Sequence, residues 1–444
     1  MKAFVPAALC LACGAAFGQC PPEWSAIANG SPDGTVHNLA LWDPDGAGPG
    51  GPVVALAGGF TNIGSVPASR VASWDGTTFS ALGVGVNNEV RYMAALANGD
   101  LVAAGAFTTA GGNSASRVAS WNNATGWSAL GAGVNSVLLA VASTGGSSVV
   151  VAGAITSAGG NPASRVASWD GSAWSPLGSG LASTTAALAV MPNGNVVAAG
   201  AFLAAGGNPA NRVARWDGTN WFPMGSGVDV LARCLLAMPN GDVYMGGDFN
   251  TADGNPAKYI ARWDASTSTW NAVGGGMDVS PSTFGVYDIK QMPNGDIVAA
   301  GNFTIAGGSP ANRIARWNGS TWSTLDSGLN DLVRSLLVLP NGDLIVAGDF
   351  TTAGGIPVTR LARWAPAATC GPTCDSIDFN NDTSLFDPQD IDAFLSVYSE
   401  GPCIPGTATC NDIDFNNDTS LFDPCDINAF LLVFSEGPCT ACGS

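Results

Sequence analysis

Residues 196–227 read VVAAGAFLAAGGNPANRVARWDGTNWFPMGSG, and the apolar positions fall into short runs separated by glycine and polar breaks. The segment Asn-Arg-Val-Ala-Arg-Trp at 211–216 alternates polar and apolar with period two, which predicts a strand with one covered face. Val196 to Phe202 is a short continuous run of small apolar residues, which predicts a strand covered on both faces. Another apolar run precedes it in each copy, such as Leu235 to Met238 or Leu336 to Leu339. Pro-Asn-Gly-Asp follows that run at 239–242 and 340–343. Asn-Gly predicts a two-residue hairpin with positive φ at both central residues. A Gly-Gly loop then leads into the alternating strand, and Asp-Gly-Thr-Asn at 217–220 turns the chain into a fourth strand that carries a second tryptophan.

This four-strand unit recurs. Its marker residue is Phe60, Phe107, Ile155, Phe202, Phe249, Phe303 and Phe350, at steps of 47, 48, 47, 47, 54 and 47 residues. The third strand of each unit ends in Trp74, Trp121, Trp169, Trp216, Trp263, Trp317 and Trp364. The fourth begins at Trp24, Phe79, Trp127, Trp174, Trp221, Trp270 and Trp322. One fourth strand therefore opens the chain and one third strand closes the repeat region. A linear stack has no reason to split a unit between its ends. A ring does, because closure hides the edges an open sheet would expose. The reading is an all-β, seven-bladed β-propeller, with the strand at Trp24 completing the last blade.

Gly-Gly after the second strand, then an aromatic-Asp pair, then a tryptophan (Gly206-Gly207, Trp216-Asp217 and Trp221 in one unit) resembles the kelch repeats of β-propellers over about residues 22 to 364. Tryptophan stands where that family has tyrosine, so the resemblance is kelch-like. The split falls between the third and fourth strands of the last blade. Cys20 and Cys370 flank it, which predicts a disulfide in place of the missing turn, with Cys374 as the rival partner. Closing so long a loop is worth about 4–5 kcal/mol in the chain-entropy account.

Composition adds compartment and excludes partners. Lys2, the apolar stretch Ala3 to Phe17 and the small residues before Gln19 predict an export signal over residues 1–19, too short to span a membrane. The repeats then occupy 20–369 and a separate tail 370–444. No other candidate membrane span is evident. Of the 11 cysteines, Cys10 and Cys13 lie in the signal and Cys234 lies in an apolar strand as a buried thiol. Cys374 to Cys403 and Cys410 to Cys439 share one spacing, and Cys425 with Cys442 completes a disulfide-type set suited to an oxidising compartment. Net charge is −18, and the last basic residue is Arg363. Such a chain repels nucleic acid and anionic lipid.

The tail carries DFNNDTSLFDP twice, at 378–388 and 414–424. Asp378, Asn380 and Asp382 alternate, followed by Ser384 and Asp390, and an apolar helical stripe follows at Ile391, Phe394, Leu395 and Tyr398. The second copy supplies Asp414, Asn416, Asp418, Ser420 and Asp426. Short oxygen-bearing side chains at this spacing before a helix suit calcium, which takes six to eight oxygens. Asp387-Pro388 and Asp423-Pro424 fit helix capping instead. Two such units at a chain terminus resemble dockerin repeats of secreted bacterial proteins. That resemblance implies a calcium-dependent anchor docking to a cohesin-like or other surface protein. Thr383 and Thr419 replace the usual turn glycine, and the final Asp comes one residue late.

No catalytic set stands out. A single histidine, His37, and five tyrosines exclude His-rich metal chemistry, while a carboxylate pair of the glycoside hydrolase type stays open. Arg70, Arg117, Arg165, Arg212, Arg313 and Arg360 repeat at one position, with Lys258 near it in the remaining unit, and read as blade-holding residues. The paired tryptophans read as packing. The longest unit differs by an insertion, so Met277, Asp278, Ser280, Ser282 and Phe284 are the expected ligand-contacting loop, for a glycan or protein ligand. The sequence thus reads as a secreted or cell-surface binding protein with a calcium-dependent tail. The alternatives are a tethered carbohydrate-active enzyme and a structural envelope component.

Overall fold

A computed structural model of the chain describes residues 23–27, 30–46, 48–279 and 285–366. Among these residues all regular structure is strand. They form seven four-stranded antiparallel sheets. The inner strands are Val36–Trp42, Val90–Ala95, Leu138–Gly145, Thr185–Val190, Ala232–Ala237, Val286–Gln291 and Val333–Val338. Six sheets run inner to outer in chain order. In the fourth, for example, Thr185–Val190 is followed by Val196–Gly200, Val213–Trp216 and Trp221–Pro223. The seventh takes its outer strand from the chain start: Glu23–Ala26 pairs with Leu361–Ala365, with Trp24 opposite Trp364.

The core is divided among the junctions between sheets. Seven apolar clusters each join one sheet to the next, and one of them joins Leu337, Ile345 and Leu361 of the seventh sheet to Leu39, Val54 and Phe60 of the first. The marker residues Phe60, Phe107, Ile155, Phe202, Phe249, Phe303 and Phe350 are fully buried in these clusters. Small residues on the second strands let neighbouring sheets approach, and the large aromatics fill the wider outer part. The outer-strand indoles lock adjacent sheets as well: Trp174 Nε1 donates to the carbonyl of Leu130 and Trp221 Nε1 to that of Leu177.

Two turns differ from the pattern expected of them. In Leu96-Ala97-Asn98-Gly99-Asp100 only the glycine has positive φ, at 87°. Gly99 N–H donates to the Leu96 carbonyl and Leu96 N–H to the Asp100 carbonyl, so the hairpin is a type I turn closed by a left-handed glycine. Asn98 bonds back to the N–H of Asp100, which a type I turn permits. The Gly-Gly pair makes the two-residue hairpin instead. Gly111 and Gly112, at φ 60° and 82°, join Thr109–Ala110 to Asn113–Ser114. Small hairpins of this kind sit between the second and third strands of the sheets.

Candidate functional site

Every inner strand is bulged at the same place. Val36 pairs with Gly58 and Asn38 with Ala57, so His37 is the extra residue, and the same skip falls in all seven inner strands. A bulge unpairs one residue and re-aims its side chain. The seven bulge residues are His37, Arg91, Leu139, Ala186, Arg233, Tyr287 and Arg334, all half-buried. The position before the bulge and the second position after it stay small or apolar from sheet to sheet. The bulge position and the one directly after it do not.

These residues face one another across the ring. The inner strands neighbour each other in order, the seventh returning to the first. The charges of Arg91 and Arg334, from the sheets on either side, both act on His37. One side of this mouth is polar and the other is made of Leu139 and Ala186. On the polar side Arg233 grips Asp248 with two parallel bonds, Nε to Oδ1 at 2.8 Å and Nη2 to Oδ2 at 2.6 Å. Its guanidinium lies 4.9 Å from the centre of the Tyr287 ring. Arg334 bonds Asp349 through Nε and Nη2, at 3.0 and 2.6 Å, and Thr35 donates its hydroxyl to the same carboxylate. Arg91 pairs with Glu89. Burial, then the positive charges of Arg91 and Arg334, push the His37 imidazole down to about 4. It is therefore uncharged at neutral pH.

The next residue of each inner strand lies deeper. Three of these bind the neighbouring inner strand: Asp288 accepts from the N–H of Leu336, Ser335 from that of Leu39, and Asn38 from that of Met93. Tyr92 is the corresponding residue of the second sheet. Burial raises its phenol well above the ordinary value, and Asp288 and Cys234 from the sixth and fifth sheets add to the shift. Such reach is possible only across the middle of the ring.

The expected insertion loop divides. Met277 is fully buried at the place held elsewhere by Val86, Val134 and Val228, so it is a core residue and unavailable to a ligand. Asp278 is exposed and pairs with Lys258 at 2.6 Å. Ser280, Ser282 and Phe284 lie outside the described residues. Gly285, directly after them, donates its N–H to Asp248 at the mouth. The repeated arginines are structural: Arg70 and Arg313 donate to the carbonyls of Phe60 and Phe303 and Arg360 to that of Pro32, all with positive φ. In the fifth unit that backbone position belongs to Tyr259, at φ 65°, rather than to Lys258. Cys234 is a buried free thiol. The tail, with every predicted calcium ligand, and all the cysteines of the predicted disulfide set lie outside the described residues. Among the described residues no cluster of three or more metal-type side chains occurs.

Comparison with known proteins supports the fold. Residues 192–216, 293–320 and 339–365 match a family described as a β-propeller domain of unknown function. No curated protein sequence matches. The structure is similar to the extracellular domain of a one-component system of B. thetaiotaomicron, at TM-score 0.50 and 9% identity, over 78% of this chain and 40% of that one. It is equally similar to the extracellular domain of a hybrid two-component system of the same organism, at TM-score 0.50 and 12% identity, over 78% and 42%. The chain thus spans about two fifths of the length of these two structures. The WD40 propeller domain of Doa1 also matches, at TM-score 0.48 and 16% identity, over 77% and 96%. The described region is an all-β propeller.

Proposed function

We propose that the protein is an extracellular recognition module. In this reading each four-stranded sheet is one blade of a seven-bladed, kelch-like propeller that presents its mouth to a glycan or protein. The dockerin-like tail, through Asp378, Asn380, Asp382, Asp390 and their counterparts in the second copy, anchors it to a surface partner when calcium is bound. One observation carries the recognition half: within nearly uniform repeats, diversity gathers at the seven bulge residues and the residues directly after them, on the inner strands around one mouth. The export signal read in the sequence supports the compartment. So does the likeness to extracellular domains of bacterial sensor proteins. The hydrolase alternative gains nothing at the mouth, where Glu89, Asp248 and Asp349 each hold an arginine.

Calcium calorimetry on the mature full-length chain tests the anchor. Two binding events and a raised Tm are expected, both abolished by Asp378→Ala with Asp414→Ala. Absence of heat removes the anchor and leaves the propeller reading to its own test below.

A further inference from the structure

The ligand class follows from the charge balance and hydrogen-bonding capacity of the mouth. Arg91, Arg233 and Arg334 face Glu89, Asp248 and Asp349, one carboxylate per guanidinium. His37 adds no charge near neutrality, and Lys290 is matched by Asp288 at 2.6 Å. The sum is zero. An anionic ligand would need surplus positive charge and a cation would need an uncommitted carboxylate.

Hydrogen-bonding capacity remains in quantity. A guanidinium has five N–H donors in one plane. Arg334 spends Nε and Nη2 on Asp349 and keeps the rest, and its side chain is 26% exposed. The carboxylates hold these planes fixed, so a ligand meets donors whose ordering cost was met on folding. Acceptor lone pairs on the same carboxylates lie beside the donors, an arrangement suited to hydroxyls, which both give and take a hydrogen bond. The Tyr287 ring and, across the mouth, Leu139 and Ala186 offer apolar surface. Paired donors and acceptors with apolar walls match a molecule that has hydroxyls around its rim and C–H groups on its faces.

We propose that the mouth binds the uncharged end of a saccharide chain, with Arg334 and Tyr287 as specificity-determining residues. This deepens the recognition reading above and rests on it. The ligand is neutral because ionic partners are already satisfied within the protein.

The test uses the mature full-length chain against immobilised cellohexaose, laminarihexaose, mannohexaose and xylohexaose, with hexagalacturonate as the acidic comparison. Binding to at least one neutral probe is expected. It should weaken tenfold or more in Arg334→Ala and in Tyr287→Ala. Should either variant melt early, Ala186→Trp fills the mouth without removing a polar contact, and it too should abolish binding. Neutral-probe binding unchanged in all three variants would overturn the site. Binding to hexagalacturonate alone, lost in Arg334→Ala, would overturn neutrality while keeping the mouth as the recognition site. No binding to any probe would overturn the saccharide assignment, and calcium-dependent anchoring would be unaffected by that result.

Discussion

Trp24 stands directly opposite Trp364 in the register of the seventh sheet, although 340 positions separate them in the chain. Trp24 is 5% exposed, and its indole N–H donates to the Leu325 carbonyl. The same indole-to-carbonyl bond recurs at Trp174 within continuous chain. Removing a buried tryptophan costs about 3–5 kcal/mol. Trp24→Ala and Trp174→Ala should therefore lower Tm by similar amounts. If Trp174→Ala destabilises while Trp24→Ala leaves melting unchanged, the first strand does not hold the ring shut.

The inner strands turn one edge toward the middle of the ring, and edge N–H groups need partners. Asp288, Ser335 and Asn38 supply them at three successive junctions, from the sixth sheet through the seventh and first to the second. Asn38 is 6% exposed, so truncating it leaves the Met93 N–H buried and unpaired. A loss of about 1–3 kcal/mol is expected for Asn38→Ala. Amide exchange is the sharper readout: Met93 should exchange faster in Asn38→Ala, while Leu336, bonded to Asp288, keeps its protection. Equal exchange at Met93 in the variant and the parent would remove the staple.

The legible part of this fold was the part that repeats. Aromatic pairs at near-constant spacing announce third and fourth strands, and their unequal ends ask for the closure made by Trp24 and Trp364. The mouth is harder to read because a bulge has no composition of its own. His37, Arg91, Leu139, Ala186, Arg233, Tyr287 and Arg334 occupy one register position, yet nothing local marks it as unpaired. A search for length differences leads to the loop after Met277, whose first residue proves to be core. A search for variation at fixed register would have reached the mouth. The Asn-Gly turns misled for a related reason: the dipeptide suits two hairpin types, and the one-residue-longer loop selects the type I form.

One departure within the repeat predicts a stabilising change. Gly83, Gly131 and Gly178 have φ of 56–58°, and a Cβ there would meet the neighbouring sheet's tryptophan at 3.0 Å. Asp326 occupies the same place in the sixth unit, at φ 51°. Asp326→Gly should raise Tm, by relief of up to about 1–2 kcal/mol of left-handed backbone strain. Gly178→Ala should lower it, because the strain and the contact with Trp216 add. A lower Tm for Asp326→Gly would show that the aspartate earns its place by a contact stronger than the strain.

His37 makes the pH dependence of this protein unusually clean, since the chain has one histidine. Its imidazole is buried between Arg91 and Arg334, with Glu89 and Asp349 only partly offsetting them, and titrates at about 4 when folded against 6.5 in an unfolded chain. The unfolded state therefore takes up the proton first as pH falls. Stability linked to this group is complete above pH 6.5, declines through the interval and is fully lost below pH 4, a change of about 3 kcal/mol. The turn carboxylates touch only the lower end of this window. Asp75, for instance, is held far below the carboxylate range by the N–H and hydroxyl of Thr78, so its contribution starts to fall as pH approaches the ordinary carboxylate value of 3.8 and is lost mostly below it. Denaturant unfolding at steps between pH 7 and pH 4 should show the decline in the parent protein and a flatter profile in His37→Gln. The imidazole C–H resonances should move with a midpoint near 4. A midpoint near 6.5 would mean that His37 is open to water and that the arginines do not crowd it, and the neutral count of charges at the mouth would fail with it.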